Sequence, residues 1–132
     1  MKLYLDSSAL VKLVQQEAES AALRRYLGLH RSDVHVSSAL ARTEVVRAVA
    51  SGGAPAVAHA RRVLGRVQQV DVTRRVLDDA ALLSPGTLLR SLDAIHLTTA
   101  KLVGPDLLAL VTYDSRMAAG AAALGITVEA PV

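Results

Sequence analysis

Cysteine, phenylalanine and tryptophan are absent from the 132 residues, and tyrosine occurs three times. Without cysteine there is no disulfide framework and no thiolate metal site, which suits a reducing cytosol. Without large aromatics there is no platform on which bases could stack. If such a chain holds nucleic acid, it does so mainly by backbone and shape. Long apolar runs are also missing. The longest, Ala118 to Ile126, is far short of the roughly 18 residues that indicate a membrane span. Asp6 interrupts the apolar start almost at once, so no signal peptide is expected. The charge is close to balanced, with 15 basic and 12 acidic residues and a net +3. There is no G-x-G-x-x-G, no P-loop and no G-x-S-x-G. The expectation is one soluble, cytoplasmic domain over residues 1–132 with no membrane partner.

Hydrophobic residues make up 52% of the chain, and a domain near this size buries about two-thirds of its unfolded surface. A core is therefore within reach without staples. The bases come in clusters, Arg24-Arg25, Arg61-Arg62 with Arg66, and Arg74-Arg75. Such clusters can touch phosphates, although charged runs on helices are more often solvated faces.

Short β-rich runs alternate with longer helical ones. Strands are expected near Lys2–Asp6, Val34–Ser37, Gln69–Val72, Leu107–Thr112 and Ile126–Glu129. Helical patterns cover Ser8–Gln16, Ser20–Leu29, Ser38–Ala50, Pro55–Val67, Thr73–Leu83, Leu92–Val103 and Ser115–Leu124. Ser84-Pro85-Gly86 and Gly104-Pro105 read as stops. This alternation predicts an α/β fold, a mostly parallel five-stranded sheet with helices on both faces. The first and fourth strands are the most continuously apolar. Placing them in the centre gives the order 3-2-1-4-5, with the switch point between strands one and four.

Four acids belong to the carboxyl edge of that sheet. Asp6 ends strand one in "YLDSSAL", and Asp114 follows strand four in "LVTYDSRM". Neighbouring strands lie about 4.8 Å apart, so these two could share a cation. Each also reads as an ordinary helix N-cap. Glu44 lies in the helix after strand two, on the order of 9 Å along the axis from Ser38. Its neighbours one turn away, Leu40, Ala41 and Ala48, form a largely apolar stripe, a poor place for a solvated glutamate. Asp93 sits in a first helical turn with Ser91 as the expected cap, where an acid also complements the helix dipole. Two such acids at one rim could be coincidence; four are poorly explained that way. Crowded carboxylates repel each other, and a hard divalent ion, Mg²⁺ or Mn²⁺, relieves the repulsion. Ions of this kind activate water and stabilise attacking and leaving oxygens in phosphodiester hydrolysis.

With "YLDSSALVKL", Glu44, "SLDAIHLTTA" and "LVTYDSRM" in this order, the chain resembles a PIN-domain ribonuclease of the VapC type, the toxin of prokaryotic toxin–antitoxin pairs. The resemblance spans essentially the whole chain. It implies Mg²⁺- or Mn²⁺-dependent cleavage of RNA, inhibition by a cognate small antitoxin, and a homodimer. By motif match Asp6, Glu44, Asp93 and Asp114 hold the metal and position water. Ser7 or Ser8 would hydrogen-bond an acid or a water, and Thr112 would support the site in the same way. Some relatives carry a further acid after the fourth; Ser115-Arg116-Met117-Ala118 offers none, so the number of ions stays open. Arg116 is placed either to steer a phosphate or to pair with an acid. His96, one turn after Asp93, is expected on the helix surface or in packing rather than as a ligand.

Two rival classes remain. A phosphatase of the haloacid-dehalogenase type would want an acid where Ser8 stands. A response-receiver domain would want an acid closing strand three and a lysine closing a late strand; Asp71 falls inside the expected run and strand four closes on Thr112. A non-catalytic module whose acids receive a basic partner segment would carry the same residues.

Overall fold

The computed structural model describes residues 1–84 and 89–132. Five parallel strands form one sheet: β1 Lys2–Leu5, β2 Val34–Ser38, β3 Gln68–Val70, β4 Leu107–Val111 and β5 Val128–Glu129. Their order is β3-β2-β1-β4-β5, as the apolar pattern predicts. Among the described residues seven α-helices fill the connections: α1 Ser7–Val14, α2 Ser20–Leu29, α3 Ala41–Val49, α4 Ala54–Leu64, α5 Arg74–Ala81, α6 Ser91–Val103 and α7 Ser115–Ala123.

β1 shows why the sheet is covered on both faces. Its side chains alternate, and all of Leu3, Tyr4 and Leu5 are fully buried. Leu3 and Leu5 pack with Ala9 and Leu10 of α1, Leu23 of α2, Val45 of α3 and Leu64 of α4. Tyr4 faces the other way, into Leu97 and Ala100 of α6 and Met117 and Ala121 of α7. Helices α1 to α4 thus line one face, and α6 and α7 the other.

Several boundaries differ from the sequence-based expectation. β2 runs through Ser38 and α3 begins only at Ala41. The cause is long-range: Ser38 pairs with Val70 of β3, and the Ala39 amide donates to the Val70 carbonyl at 2.8 Å. The Ser38 hydroxyl then accepts from the Leu40 amide, turning the chain into the helix. β3 ends at Val70, so Asp71 follows the strand instead of lying inside it. α4 stops at Leu64, β5 shrinks to two residues, and α6 begins at Ser91. The Pro85-Gly86 part of the expected break after α5 lies outside the described residues. Gly104 ends α6 at φ 73°, a conformation that costs a glycine nothing.

Candidate active site

Asp6 directly follows β1 and caps α1, its Oδ1 accepting from the Ala9 amide at 3.0 Å. The same oxygen accepts from Ser8 Oγ at 2.7 Å, and Oδ2 accepts from Thr112 Oγ1. The Asp6 amide donates to the Val111 carbonyl, which locks this turn onto β4. Ser8 and Thr112 also receive the amides of Tyr113 and Asp114, at 2.9 and 3.1 Å. Two neighbouring strand ends are thereby knitted around one carboxylate that is only 2% exposed. Burial raises the Asp6 pKa, while the donors from Thr112, Ser8 and Ala9 and the proximity of His96 hold it down in part.

Glu44 stands in the first turn of α3 and is half-buried. Because α3 starts at Ala41, it lies about 4.5 Å along the axis from the helix start, at 1.5 Å per residue. Its Oε1 accepts from Ser7 Oγ and from His96 Nε2, the latter at 2.6 Å. Burial pushes its pKa up, but these two hydrogen bonds and the His96 charge outweigh that and leave it below the ordinary glutamate value. His96 is not on the helix surface. It is 2% exposed, and its Nδ1 lies 2.7 Å from the Tyr4 hydroxyl, at the centre of a Tyr4–His96–Glu44–Ser7 network. Burial drives the Tyr4 hydroxyl well above its ordinary value, with the charges of Asp6 and Glu44 adding to the effect. The Glu44 carboxylate only accepts, so Nε2 carries the proton given to it, and Nδ1 shares its hydrogen bond with the Tyr4 hydroxyl. Helical spacing cannot distinguish such a histidine from a packing one, because its partners are 52 and 92 residues away.

Asp93 and Asp114 both hold helix starts. Asp93 Oδ2 accepts from the Arg90 amide at 3.2 Å, so Arg90 and not Ser91 is the cap residue of α6. Asp114 Oδ1 accepts from the amides of Arg116 and Met117, at 2.8 and 3.3 Å. The Arg116 side chain is exposed and, among the described residues, pairs with no acid.

The sheet topology delivers all four acids to the carboxyl ends of the strands. Asp6 and Asp114 follow the paired strands β1 and β4; Glu44 follows β2; Asp93 opens the helix that leads into β4. As the side chains stand, no three acids or histidines among the described residues are close enough to hold one metal ion. The expectation that the acids meet around one cation is corrected to that extent: Asp6, Asp93 and Asp114 are turned to helix caps and Glu44 to His96. Glu44, Asp93 and Asp114 each engage a single oxygen. Among the described residues the second oxygen of Glu44, Asp93 and Asp114 has no protein partner. An all-carboxylate donor set with spare oxygens suits a hard ion that keeps several waters. None of the cavities of about 150 to 340 Å³ found among the described residues is lined by these acids.

A sequence model of the PIN domain matches residues 3–123. The chain is a member of the PIN-domain family. It is 52% identical over 129 residues to Ribonuclease VapC46 of Mycobacterium tuberculosis, covering 98% of this chain and 97% of that protein. The fold also matches the crystal structure of VapC20 of M. tuberculosis, a sarcin-ricin loop cleaving toxin, with TM-score 0.76 at 17% identity over 98% and 99% of the two chains. A toxin–antitoxin complex from Klebsiella pneumoniae matches with TM-score 0.72 at 20% identity over 98% of each. Within the PIN domain, this chain belongs to the VapC ribonuclease group. That membership excludes the phosphatase and receiver alternatives, even though Asp71 does close β3 as a receiver would require.

Proposed function

We propose that this PIN domain is the toxin of a VapBC-type pair, an endoribonuclease that hydrolyses RNA phosphodiester bonds with the help of Mg²⁺ or Mn²⁺. The observation that supports the proposal is that Asp6, Glu44, Asp93 and Asp114, from four separate segments, all follow strand ends or open helices on the carboxyl side of one sheet. The near-complete alignment with VapC46 supports the same reading.

In this reading the four carboxylates hold the ion. A bound hard dication supplies a more acidic water and offsets negative charge on the phosphate oxygens. Ser8 and Thr112 fix the Asp6 carboxylate between two strands, so its oxygens are held in place before the ion arrives. Ser7 and His96 aim one oxygen of Glu44 and leave the other for the ion or a water. Burial opposes ionisation of Asp6, so a cation there competes with a proton and its binding strengthens as pH rises. Arg116, exposed two residues after Asp114, steers a phosphate toward the edge. The cytoplasm, a cognate small antitoxin and a second copy of the chain complete the setting.

The test uses purified, partner-free protein with an RNA pool. Cleavage should require Mg²⁺ or Mn²⁺, stop with a chelator, and leave 5′-phosphate and 3′-hydroxyl ends. Asp6→Asn and Asp93→Asn should each cut the rate more than about 100-fold, the upper end for groups that only support a ligand. Cyclic phosphate ends, or full activity in both variants, would refute the mechanism. Tight binding of a basic partner with no cleavage would favour the non-catalytic module.

A further inference from the structure

At the base of the α3–α4 hairpin a hollow of about 330 Å³ is lined by Arg42, Thr43, Val46, Arg47, Arg61 and Leu64. The three arginines are exposed, and among the described residues none of them makes an ion pair. Arg42 makes one long contact, 3.4 Å to Gln69 Oε1 of β3. Arg47 and Arg61 lie in the last turns of their helices, where a cation complements the helix dipole. That accounts for one charge at each terminus. It does not account for three guanidinium groups lining one hollow that has no acid in it.

The position of the hollow gives it meaning. Arg42 and Thr43 directly precede Glu44, and Arg47 follows it by three residues, close enough for the side chains to be neighbours. The hollow therefore borders the acid edge. Planar guanidinium forks match phosphate oxygens in pairs, and an apolar floor of Val46 and Leu64 weakens competition from water. With phenylalanine and tryptophan absent, no aromatic competes for bases here.

We infer that this hollow binds backbone phosphates of the RNA strand beside the bond presented to the acids, an inference that rests on the ribonuclease reading for the identity of the strand. The contact is electrostatic and indifferent to base sequence. It holds the strand across α3 so that a neighbouring phosphodiester lies over Glu44 and Asp6.

The experiment compares Arg47→Gln/Arg61→Gln with Arg25→Gln/Arg31→Gln, two exposed arginines on α2 and in the loop after it. Both double variants change the net charge equally. Binding of a labelled single-stranded RNA oligonucleotide of mixed sequence is read by anisotropy in chelator over a range of salt. Cleavage of the same RNA is then followed with Mg²⁺. The first variant should bind about tenfold or more weakly, and its salt slope should drop by about 1.4, or 0.7 per lost contact on a single strand. KM should rise with kcat little changed, as expected for lost uniform binding. The second variant should match the parent. Unchanged affinity and slope in Arg47→Gln/Arg61→Gln would overturn the inference, as would an equal loss in the control. So would intact RNA binding with loss of binding to a poly-glutamate peptide, which would assign the hollow to an acidic protein partner. A parent that binds RNA through these arginines but never cleaves it would support the inference and sink the ribonuclease reading instead.

Discussion

Asp6 caps α1, receives Ser8 and Thr112, and is nearly devoid of water. In the proposed mechanism the cap of α1 and the metal-holding acid are one carboxylate. Its raised pKa has a measurable consequence for the metal-free chain. Between the ordinary aspartate range and the raised folded value, the folded chain keeps a proton that the unfolded chain has released. Stability therefore falls as pH rises through that window. Asp6→Asn should remove this slope and stabilise the metal-free protein at neutral pH by about 0.5–2 kcal/mol. Thermal melts in chelator from acid to neutral pH test it, and parallel profiles for parent and variant would rule Asp6 out as the group. His96 was legible only as a residue beside a site acid; nothing in a helical repeat announces hydrogen bonds to Tyr4 and Glu44. Replacing it with Ala orphans the buried Tyr4 hydroxyl and frees Glu44. His96→Ala should destabilise the fold by about 1–3 kcal/mol and lower kcat about 10- to 100-fold. His96→Gln, with an amide able to reach Glu44, should recover part of kcat. Equal rates in all three proteins would show that Glu44 needs no such support.

Helix starts are where the elements meet the chemistry. α1, α6 and α7 all begin at the acid edge, and an acid from the set accepts a backbone amide at each of them. Capping and charge can be separated at Asp114. Asparagine caps about as well as aspartate, so Asp114→Asn should keep the melting temperature near the parent's while activity falls. Asp114→Ala should lose activity and also about 1 kcal/mol of stability. If the Asn variant is as active as the parent, the charge at this position is dispensable. The elements themselves were mostly legible, because strands one and four are the most continuously apolar and helix periods are clear between them. The start of α3 was not. Its delay from Ser38 to Ala41 comes from the pairing of β2 with β3, and a contact between residues about thirty apart leaves no trace in local pattern.

For the molecule as a whole, the order of the sheet follows from which strands can be buried on both faces. Which side-chain rotamers the acids adopt does not follow, since helix caps hold Asp93 and Asp114 while His96 and Ser7 hold Glu44, each in competition with an ion. An ion that binds the folded chain alone should shift that competition and raise the melting temperature. At 100 times its dissociation constant, Mg²⁺ would add about 2.7 kcal/mol to the parent, and Asp6→Asn should show little of it. Equal shifts in both proteins would mean that Mg²⁺ stabilises elsewhere. The sheet ends on β3, of three residues, and on β5, of two. Ladders this short give an incoming peptide almost no main-chain hydrogen bonds to share. A protein that grips this domain therefore finds more to hold in the side chains of its helices and loops than in its sheet edges, and surface substitutions there can retune partner choice without touching the sheet.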